Sequence, residues 1–369
     1  MTVFGTRPEA IKMAPVVKAL QSESNRFRVK VVVTGQHREM LHQVLEFFEI
    51  EPDHDLAIMR HGQTLTDITS RVLVGLEKVI RSEKPDVVLV HGDTTTTFAG
   101  SLAAFYQQVA VGHVEAGLRS HNLYNPFPEE MNRRLTGALA TFHFAPTEAA
   151  AAQLAREGVP ESQIFVTGNT VIDALLGTVK DDFTFQDPVL RNLDFAEDRV
   201  VLLTTHRREN WGIPMQRIFS AVRQLITAFP DLRVVFPVHK NPRIREVAKE
   251  SFRDLPQVDL VEPPAYEEFV NLMARVHFLL TDSGGLQEEA PSIGKPVLVL
   301  RDTTERPEGV DAGTALLVGT DTDRIVKEAT KLLSDRQAYL AMAQAPNPYG
   351  DGHAACRIAK ILWEQKELI

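Results

Sequence analysis

The chain has 369 residues, of which 44% are hydrophobic and 24% charged, and a formal net charge of −9. That length exceeds what one hydrophobic core usually serves, so two domains are expected, and the acidic balance argues against a general nucleic-acid binder or a binder of anionic membranes. The single cysteine, Cys356, excludes an intrachain disulfide framework and fits a reducing cytosol, while no apolar run approaches ~18 residues, so no membrane span is expected.

The chain opens inside an apolar run rather than on a charged-then-apolar signal segment. Two series of short β-branched runs then follow, separated by helical stretches. The first comprises Thr2–Phe4, Val29–Thr34, Asp86–His91, Val109–Glu115, Phe142–Ala145 and Ile164–Thr167. The second comprises Arg199–His206, Leu232–His239, Val258–Glu262, His277–Thr281, Pro296–Arg301 and Leu316–Gly319. Continuously apolar strands alternating with helices indicate parallel sheets buried on both faces. Two doubly wound, Rossmann-like α/β domains are therefore expected. The seam falls near Gly168–Asp198, where acidic residues and Pro188 interrupt the pattern, and a turn-rich Asn347–Gly352 precedes a final helix over Ala354–Glu367.

Ligands of open α/β sheets bind beyond the carboxyl ends of strands, and the motifs cluster there. Gly5-Thr6-Arg7-Pro8-Glu9-Ala10-Ile11-Lys12 reads as a strand-turn-helix whose Arg7 and Lys12 suit a phosphate; the alternative is a capped helix with solvated charges. It is neither a G-x-G-x-x-G nor a G-x-x-x-x-G-K-[ST] element, which weighs against NAD-type and P-loop readings. His91-Gly92-Asp93 and His113-Val114-Glu115 each leave a carboxylate at a strand end, and Pro128-Glu129-Glu130 adds a third acidic site. Carboxylates gathered at one mouth can divide acid and base roles, because burial and like charge push their pKa values apart. For Asp93 the competing reading is a helix cap. A two-metal reading of the His-x-Asp and His-x-Glu pairs is disfavoured by a thin ligand set.

In the second half, His206 follows a strand and could shuttle a proton or donate to phosphate. Arg207 reads as an anion ligand or a solvated residue at a helix start, and His239 as part of a turn. Tyr266 and Phe269 are core or base-stacking aromatics. The stretch Thr281-Asp282-Ser283-Gly284-Gly285-Leu286-Gln287-Glu288-Glu289 breaks an apolar run into a helix. Its glycines permit close approach of backbone N–H groups to an anion at the helix start, with Glu289 about one turn further along, in reach of hydroxyls. An N-capped, tightly packed helix is the alternative. Arg306, beyond the next strand, is a candidate second phosphate clamp.

Taken together, Gly5–Pro15, Gln36–Met40, His91–Thr97, His113–Arg119, Pro128–Arg133, Thr281–Glu289 and Arg301–Glu308 resemble the non-hydrolysing UDP-N-acetylglucosamine 2-epimerases of bacteria, nearly end to end. The resemblance implies a fold similar to B-type glycosyltransferases, with an interdomain cleft, a first domain over 1–170 completed by the helix 354–369, and a UDP-binding domain over 171–353. It further implies reversible conversion of UDP-GlcNAc to UDP-ManNAc by a homodimer with no nicotinamide cofactor; elimination to a 2-acetamidoglucal is the expected route, in the cytoplasm and with no metal or other cofactor expected. By that resemblance Asp93, Glu115, Glu129 and His206 would be catalytic. Arg7, Lys12, Phe269, Ser283, Gly284, Gly285, Glu289 and Arg306 would bind substrate, and Gln36, His37, Arg207 and His239 would line an activator site. Glu39 stands where some relatives have glutamine, and the chain starts several residues later than many of them. A hydrolysing epimerase releasing ManNAc and a B-type glycosyltransferase are the alternative enzymes, and a catalytically silent nucleotide-sugar sensor is the alternative outside catalysis.

Overall fold

The computed structural model describes residues 1–35, 38–239 and 241–368. The chain divides into two compact units, one formed by Met1–Ala174 with Tyr349–Ile369 and the other by Leu175–Pro348. Each is built on a parallel sheet, as the two series of apolar runs lead one to expect. None of the helices among the described residues is long and apolar enough to cross a membrane.

The first unit holds β1 (Thr2–Phe4), β2 (Val31–Val33), β3 (His54–Asp55), β4 (Val87–His91), β5 (Ala110–Val114), β6 (Phe142–Ala145) and β7 (Ile164–Val166), in the spatial order β3-β2-β1-β4-β5-β6-β7. The strand missed by the sequence reading is β3. Two polar residues carry no periodic signal; they pair because Val32 and Val33 lie beside His54 and Asp55, and Leu56 N–H donates to the Val33 carbonyl at 2.9 Å.

The second unit holds β8 (Arg199–Thr204), β9 (Leu232–Pro237), β10 (Val258–Val261), β11 (Phe278–Thr281), β12 (Val297–Val299) and β13 (Ala315–Leu317), ordered β10-β9-β8-β11-β12-β13. Strand side chains alternate faces, so a sheet covered on both sides must be apolar at every position. This is visible along β8. Val201 and Leu203 join a core with Met215, Phe219 and Val222, whereas Val200 and Leu202 join the opposite core with Val270, Leu272 and Met273. Truncating any of these to alanine would cost about 2–5 kcal/mol.

Strand order reverses between β1 and β4 in the first unit and between β8 and β11 in the second. At such switch points the connecting loops diverge and leave room for a ligand. Local chemistry sets where the adjoining helices start. Arg7–Ser22 begins with a Thr6–Glu9 capping box and Pro8 in its first turn. Thr95–Tyr106 begins at Thr94, whose hydroxyl accepts from Thr97 N–H at 3.2 Å. Asp93 is thus not the cap, and its carboxylate remains available for another partner.

Candidate active site

In the first unit a single buried carboxylate joins two helix starts. Glu9 Oε2 accepts from the backbone N–H groups of Gly5 (3.0 Å) and Thr6 (2.8 Å), while Oε1 accepts from the hydroxyls of Thr94 (2.7 Å) and Thr97 (3.2 Å). The loops after β1 and β4 are thereby locked together. Glu9 was not singled out from sequence; the capping-box spacing Thr6-x-x-Glu9 was the signal available. Arg7 sits half-buried at the first position of the helix and makes no ion pair among the described residues.

One turn on, Lys12 forms an ion pair with Glu115 Oε2. His91 Nε2 lies 3.6 Å from the same oxygen. Burial alone would raise the Glu115 carboxyl, but the charges of Lys12 and His91 outweigh it and hold this group well below the usual carboxylate range. Glu115 also has φ 65°, in the left-handed region. For a non-glycine residue that costs of order 1–3 kcal/mol and is a recurrent property of functional positions.

Asp93 follows the neighbouring strand and is half-buried. Arg133 grips its Oδ2 with Nη2 at 2.7 Å and Nε at 3.0 Å, and Asn132 Nδ2 donates to its carbonyl at 2.9 Å. The adjacent glutamates of the helix Glu129–Leu139 differ in role. Glu130 is fully buried, accepting from Ser120 N–H at 2.8 Å and Arg134 Nε at 3.2 Å, so its carboxylate is spent on structure. Glu129, at the first helical position, is half-buried and has no hydrogen bond or ion pair among the described residues. His113 Nε2 donates to the Gly92 carbonyl at 2.7 Å and holds the turn that carries Asp93. Among the described residues no three His, Cys, Asp or Glu side chains converge as a metal site would require.

In the second unit the organising residue is Asp282, which is fully buried just after β11. Its Oδ2 accepts from His206 N–H, Arg207 N–H, Thr205 Oγ1 and Asn210 Nδ2, all at 3.0 Å, and its Oδ1 lies 3.2 Å from His206 Nδ1. Burial would raise this carboxyl, but the donors and the His206 ring hold it below its ordinary value. The His206 ring itself is exposed. Asp282 and Asn210 were not picked out as functional from sequence, because their task depends on strands β8 and β11 lying side by side.

The helix Gly284–Glu289 begins directly after this turn, with Ser283 as N-cap and no side-chain cap bond. A Cβ at Gly284 would lie 3.8 Å from Arg207 Nη2, and one at Gly285 would lie 3.2 Å from Glu289 Oε1. Glycines here therefore leave space between the helix start and two charged side chains. Arg306 pairs with the buried Glu288 and is set by a relay. Its N–H donates to Thr304 Oγ1 (3.1 Å), which donates to Gln287 Oε1 (2.6 Å), while Gln287 Nε2 donates to the Ser283 carbonyl (3.1 Å).

Phe269 packs against the core of the second unit with Tyr266. His239 is exposed after β9, its Nδ1 accepting from Asn241 N–H at 3.2 Å. Gln36 and His37 lie outside the described residues.

The family model described as UDP-N-acetylglucosamine 2-epimerase matches residues 18–363. The UDP-N-acetylglucosamine 2-epimerase of Bacillus subtilis (strain 168) is 58% identical over 98% of this chain and 94% of its own length. A crystal structure of a UDP-N-acetylglucosamine 2-epimerase superposes with a TM-score of 0.92 at 55% identity, covering 100% of this chain and 96% of that one. The UDP-GlcNAc 2-epimerase of Neisseria meningitidis, solved bound to UDP-GlcNAc, superposes with a TM-score of 0.90 at 49% identity, covering 98% of this chain and 99% of that one.

Proposed function

Since the chain belongs to the UDP-N-acetylglucosamine 2-epimerase family, we propose that it interconverts UDP-GlcNAc and UDP-ManNAc without hydrolysis, by eliminating UDP and adding it back. The observation that carries this reading is Glu115, an anionic carboxylate in left-handed backbone directly after β5, beside β4, whose end is followed two residues on by Asp93.

The hydrogen on sugar C2 is not next to a carbonyl, so no enolate can stabilise a carbanion there. Elimination removes the difficulty. As the C1–O bond to UDP breaks, C1 gains oxocarbenium character and the C2 hydrogen becomes acidic enough for a carboxylate. The C–H electron pair forms the C1=C2 bond of a 2-acetamidoglucal, and UDP leaves with the C1–O pair. Delivery of a proton to the opposite face of C2 and return of UDP to C1 gives the epimer. Two faces require more than one acid/base group, and Asp93, Glu115 and Glu129 are our candidates in the first unit. Arg7 and the Ser283–Gly285 turn with Arg306 would bind the diphosphate, whose charge grows as it leaves; donors aimed at it favour the transition state over the substrate. His206, fixed by Asp282, would assist at the diphosphate or in proton transfer, Glu289 would take ribose hydroxyls, and Phe269 would flank uracil.

We further infer a cytoplasmic homodimer. One cysteine suits a reducing compartment. Val74, Phe105 and Tyr106 are 53%, 56% and 62% exposed on the helices Leu65–Glu83 and Thr95–Tyr106, which pack together, and such an apolar surface favours a covering partner. Arg207 and His239 remain our candidates, with Gln36 and His37, for an activator site.

Incubation with UDP-GlcNAc in heavy water, followed by NMR, tests the reading. The expected result is a mixture of both nucleotide sugars with deuterium at C2. Free ManNAc with UDP would identify a hydrolysing enzyme, and an unchanged 2-position would favour a transferase or a binding protein.

A further inference from the structure

We propose that His91 is a positioning residue for Glu115, holding one carboxylate oxygen so that the other is presented to C2 of the sugar. This deepens the reading above and rests on it, since it takes Glu115 to be a group that transfers the proton.

His91 is the last residue of β4 and only 4% exposed, yet neither ring nitrogen has a hydrogen-bond partner among the described residues. An unsatisfied buried polar group costs about 1–3 kcal/mol, and buried polar groups in folded proteins are almost always partnered. The nearest charged atom is Glu115 Oε2, at 3.6 Å. That separation is too long for a hydrogen bond but short enough for strong attraction in a buried setting. The His91 ring thus keeps an uncommitted N–H next to the carboxylate.

The two oxygens of Glu115 have different surroundings. Lys12 and His91 both address Oε2. Oε1 lies toward Gly92, where even an added Cβ would stand 3.8 Å away, and Gly92 has φ 68°, which excludes most side chains at that position. The left-handed backbone of Glu115 directs the carboxylate into this arrangement. The titratable and charged groups that face it are Lys12 from the helix Arg7–Ser22 and His91 from β4, while His113 on β5 lies near His91 and in turn has His143 on β6 and Arg119 beside it. Of these, Lys12 and His91 are the ones on Oε2.

In the proton-abstraction step Oε1 takes the C2 proton while the C–H pair becomes the C1=C2 bond and UDP departs with its electron pair. The new O–H lies on the side away from Lys12 and His91, so both keep their hold on Oε2. His91 does not touch the sugar, and its effect passes through Glu115.

The test compares His91→Leu, His91→Gln and Glu115→Gln by pH profiles of kcat/KM and by deuterium wash-in at C2, with UDP affinity measured calorimetrically. Leucine removes the ring nitrogens; a misplaced carboxylate should lower kcat about 10²-fold with UDP affinity retained, and the acid limb should rise by about one pH unit. Glutamine returns an N–H donor and should recover much of the turnover and the original limb. A wild-type profile for His91→Leu, beside an inactive Glu115→Gln, would overturn the role of His91 alone. Near-normal turnover of Glu115→Gln would overturn the underlying reading instead. Should the leucine variant fail to fold, His91→Asn replaces it: its shorter amide cannot reach Oε2, so turnover equal to that of His91→Gln would refute the proposal.

Discussion

Asp282 receives the backbone N–H of His206 at 3.0 Å and lies 3.2 Å from the Nδ1 of the same residue. One fully buried carboxylate thus fixes both the chain and the ring of His206. Asparagine at 282 would keep the shape, lose the charge, and turn an NH₂ group toward some of these donors. Charge-assisted hydrogen bonds contribute about 1.5–3 kcal/mol each, so Asp282→Asn should lower Tm by several degrees and weaken UDP binding. Differential scanning calorimetry and titration with UDP check this. Wild-type values in both would show that the loop Thr205–Asn210 is held by something else.

The contrast between Glu129 and Glu130 separates chemistry from structure. Asp93→Asn, Glu115→Gln and Glu129→Gln should each lower turnover by about 10²–10⁴-fold while UDP still binds. Glu130→Gln should instead lower stability, because its buried carboxylate is held by Ser120 N–H and Arg134. Full turnover in Glu129→Gln together with loss in a well-folded Glu130→Gln would reverse the assignment.

His113 and His143 face one another in register on β5 and β6. Burial pushes His113 down to about 3 and His143 to about 4. An imidazole whose folded value lies below its unfolded value of about 6.5 binds fewer protons than the unfolded chain does. Its contribution is therefore complete above about pH 6.5 and is lost as pH falls toward about 4 for His143 and about 3 for His113. The urea midpoint should decline across that window, and both rings should show flat NMR shifts from about pH 5 to about pH 8. A titration midpoint above about 6 for either ring would contradict the burial argument.

Gly117 tests the close packing behind the ends of β5 and β6. A Cβ there would sit 2.3 Å from the Ala150 carbonyl oxygen, and the backbone has φ 93°. Neither clash nor conformation can be relieved by rotating a side chain. Gly117→Ala should cost more than about 2 kcal/mol and lower Tm by about 5 °C or more. An unchanged melting curve would mean that the backbone at Ala150 gives way freely.

Much of the fold was legible because its signals are local. Apolar runs such as Val87–His91 and Phe278–Thr281, turn glycines and the Thr6–Glu9 spacing are each set by neighbours within a few residues. They specified two doubly wound α/β units and placed the candidate motifs at strand ends. The short strand β3 escaped, since its pairing comes from Val32 and Val33 rather than from its own residues.

The sequence by itself determined the apolar strands, the alternation with helices and the family. Only the tertiary structure decided which charge answers which: Lys12 joins Glu115 across 103 positions, Arg133 joins Asp93 across 40, and His206 meets Asp282 across 76. Local pattern cannot specify such pairs. They arise when parallel pairing brings distant strand ends together, and a buried carboxylate then takes whichever donors the sheet order has set beside it.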